Sequence, residues 1–83
     1  MIITLVDKVR HRSFEVSDNY ELYEFMKMHG FFIGNNEVAM CDGLPLSTND
    51  LFSPVRNLNK YSSGKNNDRV SIAIVERYAA GMA

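Results

Sequence analysis

Residues 69 to 77, RVSIAIVER, carry apolar side chains at both parities, with Val70, Ile72 and Ile74 on one face and Ala73 and Val75, beside Ser71, on the other. A strand of this kind belongs inside a sheet, and the pattern predicts cover on both of its faces. The rest of the chain must supply its neighbours, and only 83 residues are there to do so. Size scaling gives about 5,000 Å² of folded surface against about 13,800 Å² unfolded, enough for one small core. The expectation is one domain over residues 1–83, with 78–83 as a small apolar tail and little room for an enclosed substrate cavity.

Other elements follow from periodicity. Ile2 to Val6 is rich in β-branched residues, and Ser13 to Ser17 alternates polar and apolar, so a hairpin is expected whose tip, Asp7 to Arg12, is basic. Asp18 followed by Glu21 reads as a capping box opening a helix. Leu22, Phe25, Met26 and His29 recur at i, i+3, i+4 and i+7 as its buried stripe, Glu21, Glu24 and Lys27 mark the solvated side, and Gly30 ends it. Phe31 to Ile33 and Glu37 to Cys41 flank Gly34-Asn35-Asn36, which predicts a second hairpin with a positive-φ turn. Asp42-Gly43 makes a further turn, and Leu44-Pro45-Leu46 leads outward.

Ser47 to Asp50 is another capping pattern, ahead of Leu51, Val55 and Leu58 at i, i+4 and i+7. Pro54 interrupts it, so either Ser53 caps a helix beginning at Pro54 or a short helical turn comes first. Ser62 to Asp68 is an exposed polar loop. The order β-β-α-β-β-α-β defines an α+β domain with a largely antiparallel sheet and two helices packed on it.

The inventory of reactive groups is thin. There is no phosphate-binding glycine loop, CxxC, HExxH or GxSxG motif. Cys41 with His11 or His29 would make a thiolate-imidazole pair only if the fold brought them together, and a lone cysteine ending a strand is more simply a small buried hydrophobe. Spacings of 18 and 12 among these three residues lack the close pairs of a zinc site. No cofactor, metal or catalytic residue is expected. One unpaired cysteine suits a reducing compartment, and no apolar run is long enough to span a bilayer, which points to a cytoplasmic protein without membrane contact.

Nine basic residues against ten acidic ones exclude a chain that coats nucleic acid by bulk charge. The charges are unevenly placed: residues 1–42 carry four basic and seven acidic groups, residues 43–83 five and three. Two kinds of surface follow. Asp18, Tyr20, Glu21, Tyr23 and Glu24 mix carboxylates with amphipathic rings on the first helix, a combination suited to docking on a basic groove of another protein. Lys8, Arg10, His11 and Arg12, with Arg56, Lys60, Tyr61, Lys65 and Arg69, form the alternative, a phosphate-binding surface with Tyr61 as a stacking platform.

The protein-binding surface is the leading expectation. A short chain starting at Met1, rich in Asn and Met, suits in its style of composition a phage or mobile-element product. Such an inhibitor would block a host nucleic-acid-handling protein by steric and electrostatic competition. Direct DNA or RNA binding through the basic segments is the alternative. Phe31-Phe32 and the apolar chain end make a second copy of the chain a further candidate partner.

Overall fold

The computed structural model describes residues 1–61 and 69–77. The expected loop from Ser62 to Asp68, which includes Lys65, and the tail from Tyr78 to Ala83 lie outside the described residues. Strands β1 (Ile2–Val6), β2 (His11–Glu15), β3 (Glu37–Cys41), β4 (Leu44–Pro45) and β5 (Arg69–Glu76) form one mixed sheet in the order β2-β1-β5-β3-β4. Helices α1 (Leu22–Met28) and α2 (Thr48–Leu51) and a 3-10 helix (Val55–Tyr61) complete the α+β domain.

β5 is central, as its composition requires. It runs parallel to β1, with Leu5 opposite Ile72, and antiparallel to β3, with Cys41 opposite Ile72. Ile3, Leu5, Ala39, Cys41, Val70, Ile72 and Ile74 share one apolar cluster with Leu22, Phe25 and Met26 of α1, Phe31, and Val55 and Leu58 of the 3-10 helix. Among the described residues, cover lies on that side alone. On the other face Ile2, Val6, Val38, Met40, Ala73 and Val75 are half-buried and Ser71 is exposed, which corrects the expectation of a strand covered on both faces.

The first hairpin closes earlier than the alternation predicts. The Asp7 carboxylate accepts from the amides of Val9 (3.0 Å) and Arg10 (2.8 Å), an aspartate turn that returns the chain by His11. The strand is therefore His11–Glu15 and not Ser13–Ser17, and the tip shrinks to residues 7–10. Its register pairs Ile2 with Glu15 and Val6 with His11.

The capping box of Asp18 and Glu21 does not form. Asp18 lies 3.2 Å from the Met1 amino nitrogen, and the helix starts at Leu22 behind Glu21, which makes no side-chain cap. The Leu22 amide is instead accepted by Ser53 O at 3.1 Å. At the other end Gly30 (φ +78°) sits in a Schellman motif, its amide reaching Lys27 O (3.0 Å) and that of Phe31 reaching Met26 O (2.9 Å). The accompanying apolar contact uses Phe31, which is why Phe31 to Ile33 is not a strand. β3 pairs with β5 and β4 instead, and Glu37 closes a turn on Gly34 without any positive φ at residues 34–36. The true second hairpin turns at Asp42 (φ 50°) and Gly43 (φ 89°), both left-handed as a two-residue turn between β3 and β4 demands. Leu44-Pro45 is thus a short edge strand rather than an outward connection.

Pro54 splits the second helical segment. Ser47 and Asp50 form a complete capping box for the single turn of α2, and the 3-10 helix begins after the proline. Asp50 is the one buried charged residue among those described, at 4% exposure. Its carboxylate accepts from the Ser47 amide (3.3 Å), from Lys60 Nζ (2.7 Å) and from the Tyr61 hydroxyl, tying α2 to the far end of the 3-10 helix. Burial raises the pKa of this carboxyl, but the bonds from Lys60, Tyr61 and Ser47 outweigh it and hold the group well below the usual carboxylate range.

With the folded-state value below the unfolded 3.8, this stabilisation is complete above that pH and fades as pH falls through the folded pKa. Asp50→Ala should cost about 2 kcal/mol near neutral pH, because it removes the carboxylate half of the capping box together with the bonds from Lys60 and Tyr61. In thermal melts the gap between the two proteins should narrow steadily from about pH 5 to about pH 2.

Candidate functional site

The five residues of the expected protein-binding surface lie where α1 meets the α2 region. Segment 18–22 is stitched to segment 53–56 by Val55 N to Tyr20 O (2.8 Å), Leu22 N to Ser53 O (3.1 Å) and Arg56 N to Asp18 O (3.1 Å). These bonds place the exposed ring of Phe52, the residue ending α2, 5.1 Å from the ring of Tyr23. Tyr20 precedes α1 at 37% exposure and Phe52 stands at 55%. The result is an aromatic ledge spanning two elements.

The acids around this ledge differ in availability. Asp18 is engaged with the Met1 amine, Glu24 lies 3.3 Å from Lys27 Nζ, and Glu21 is half-buried with its backbone bridged to Pro54. Lys27 also stands 5.4 Å above the Tyr23 ring. Carboxylates are therefore present, but those of Asp18 and Glu24 are already paired locally. Phe52 was not among the residues singled out from sequence. A signal for it exists: it falls off the Leu51, Val55, Leu58 stripe, so a short helix there leaves its ring outside.

Among the described residues the basic candidates are not brought together. Lys8 lies 2.7 Å from Glu76, and that hydrogen bond raises the Lys8 pKa and lowers that of Glu76. Lys8 and Glu76 also line, with Gly34, Asn36, Glu37 and Arg77, an open depression of about 770 Å³. Arg10 folds inward, donating to Gly30 O (2.6 Å), His29 O (3.4 Å) and Asp7 Oδ2 (3.0 Å), with its guanidinium 4.0 Å above Phe31. It caps the carbonyls at the end of α1 and fastens the first hairpin to that helix.

His11 and Arg12 are consecutive in β2 and so project to opposite faces of the sheet. Arg56 donates to Asn19, Lys60 and Tyr61 to Asp50, and the hydrogen bond to Asp50 raises the pKa of both Lys60 and Tyr61. Arg69 pairs with Ile2 at the end of the sheet remote from Lys8, roughly 20 Å away along the strands.

Cys41 is fully buried in β3, on the covered face. Three strand positions separate β3 from β2, and His11 projects from the open face there, so the two are roughly 14 Å apart or more. His29 stacks 4.0 Å from Phe14 of β2, over the opposite side of the sheet from β3. The thiolate-imidazole pair is not assembled. Burial, with Asp42 and Asp50 adding to it, pushes the Cys41 thiol up to about 12. Among the described residues no group of three His, Cys, Asp or Glu side chains is placed to hold a metal ion, and no helix is long and apolar enough to cross a membrane.

No family model matches the chain, and neither a curated protein nor a solved structure matches it.

Two measurements check this geometry. Iodoacetamide should leave Cys41 of the native protein unmodified over hours near pH 8 and label it at once in denaturant, as burial and a raised pKa require. Arg10→Lys should lower stability by about 1 to 2 kcal/mol in chemical denaturation, since a point charge cannot replace the guanidinium fork on two carbonyls and a carboxylate.

Proposed function

We propose that the protein is a non-enzymatic binding module whose contact surface is the ledge of Tyr20, Tyr23 and Phe52, bordered by Asp18, Glu21 and Glu24. The observation that carries this reading is the exposed Phe52 ring resting against Tyr23 across two elements held in register by backbone bonds. Rigid aromatic side chains bury much area for few rotatable bonds, which is what a protein interface draws its energy from. The bordering carboxylates orient the ledge toward a cationic surface.

The partner this chemistry fits is a protein with a basic face of the kind that handles nucleic acid. Occupying that face would inhibit it by steric and electrostatic competition, the role a phage or mobile-element inhibitor plays against a host. The scatter of Lys8, Arg10, His11, Arg12, Arg56, Lys60 and Arg69 over separate regions, several in intramolecular bonds, supports this reading over direct nucleic-acid binding.

The test is affinity capture from a host lysate by the wild-type chain and by the Phe52→Ala/Glu24→Lys variant, with elution by added duplex DNA. The wild type should retain a basic protein that DNA releases, and the variant should lose it. The two melting curves should differ by no more than about 1.5 kcal/mol, the cost of the Tyr23 ring contact and of the exposed Lys27 pair, so that the variant remains folded. Equal retention by the variant, or retention of labelled DNA by the purified chain itself, would refute the proposal.

A further inference from the structure

β2 is the longer of the two edges of the sheet, the other being the two-residue β4. Its backbone orientation follows from its ladder with β1. Met1 and Val16 exchange both bonds, Val16 N to Met1 O at 2.8 Å and Met1 N to Val16 O at 3.0 Å, and at the other end the Asp7 amide reaches Arg10 O at 3.0 Å. In an antiparallel pair, bonded and non-bonded positions alternate. With Ile3 opposite Phe14 and Leu5 opposite Arg12, Phe14 and Arg12 direct their amides and carbonyls at β1. The Thr4 and Ser13 hydroxyls, 2.9 Å apart on a non-bonded pair where side chains approach more closely, agree with that phase. The amides and carbonyls of His11, Ser13 and Glu15 therefore point away from the sheet. Among the described residues nothing bonds to them.

We propose that this edge pairs with the same edge of a second copy of the chain, antiparallel and centred on Ser13. In that register Ser13 faces Ser13 of the second copy, and His11 faces Glu15 of the second copy in both directions. All are bonded positions, so about six main-chain hydrogen bonds form across the two-fold axis. Each imidazole N–H meets a carboxylate on the open face. On the covered face Arg12 lies opposite Phe14 of the second copy, repeating between chains the cation-over-ring contact that exists at 5.4 Å within one.

Neighbouring registers are worse. Centring on Arg12 sets two guanidinium groups against each other, and centring on Phe14 takes His11 away from Glu15. Charge and bond count select the same register. Charged residues ordinarily protect an edge by repelling a copy; here an imidazole donor at one end of a five-residue strand and a carboxylate acceptor at the other match each other in antiparallel orientation. The surface is separate from the Tyr23–Phe52 ledge and leaves it accessible to a partner.

Sedimentation equilibrium over a concentration series, with amide hydrogen exchange on the same samples, tests this. The wild type should dimerise, and the amides of His11, Ser13 and Glu15 should gain protection with concentration while those of Arg12 and Phe14 stay protected throughout. Ser13→Pro costs no main-chain bond to β1, only the exposed hydroxyl contact with Thr4, and proline is tolerated at an edge whose N–H faces outward; it should abolish the dimer while leaving a folded monomer by circular dichroism. Glu15→Lys should raise the dissociation constant about tenfold, and His11→Glu/Glu15→Lys should restore it. A wild type monomeric to about 1 mM, a dimer indifferent to Ser13→Pro, or a double variant that fails to recover would overturn the proposal, and loss of the dimer with Phe52→Ala would assign it to the ledge instead.

Discussion

Insertion of β5 between β1 and β3 is the constraint on which the rest of this structure depends. Without it the sheet falls into two hairpins, β1–β2 and β3–β4, that share no hydrogen bonds. Ile72 faces both Leu5 and Cys41, and all three are completely buried. Because β1 and β5 are parallel, everything between them must cross from one side of the new strand to the other. The chain does this with α1, the β3–β4 hairpin, α2 and the 3-10 helix, and the helical pieces all pack on one face. The second face is left half-exposed by the same economy of length.

Three surfaces of different character result. The covered face is spent on the core. The edge of β2 exposes main-chain groups, whose value lies in geometry rather than in side-chain chemistry. The ledge formed by Tyr20, Tyr23 and Phe52 exposes ring area, and its position is set by the backbone bonds between segments 18–22 and 53–56 rather than by α1 alone. Much of the charge on the molecule works internally: Arg10 closes the end of α1, Asp50 joins α2 to Lys60 and Tyr61, and Asp18 holds the Met1 amine.

The architecture was largely legible in the sequence because each strand and helix carries its own local pattern. RVSIAIVER announces a central strand, Leu22-Phe25-Met26 a buried stripe, and Ser47-Asp50 a capping box, and each is found. What was misread depended on competition between partners far apart in the chain. Phe31 alternates well enough for a strand, yet its amide and ring complete the Schellman motif of α1. Asp18 has the spacing of a cap, yet the Met1 amine reaches it first. The candidate sites suffered in the same way. Side-chain type gave Arg10 and Lys60 as free cations, and only the folded arrangement shows Gly30 O and Asp50 waiting for them. For Phe52 the stripe of Leu51, Val55 and Leu58 shows only that its ring lies outside the core; its pairing with Tyr23, which lies in a different helix, is set by the fold.

The parallel pairing of Ile2 with Arg69 also has a consequence in time. During translation at about 5 to 20 residues per second, roughly 3 to 13 s separate synthesis of the first of these strands from synthesis of its partner. For that interval the nascent polypeptide carries β1 without its central neighbour, so the side of β1 that receives β5 stays unpaired until late in synthesis.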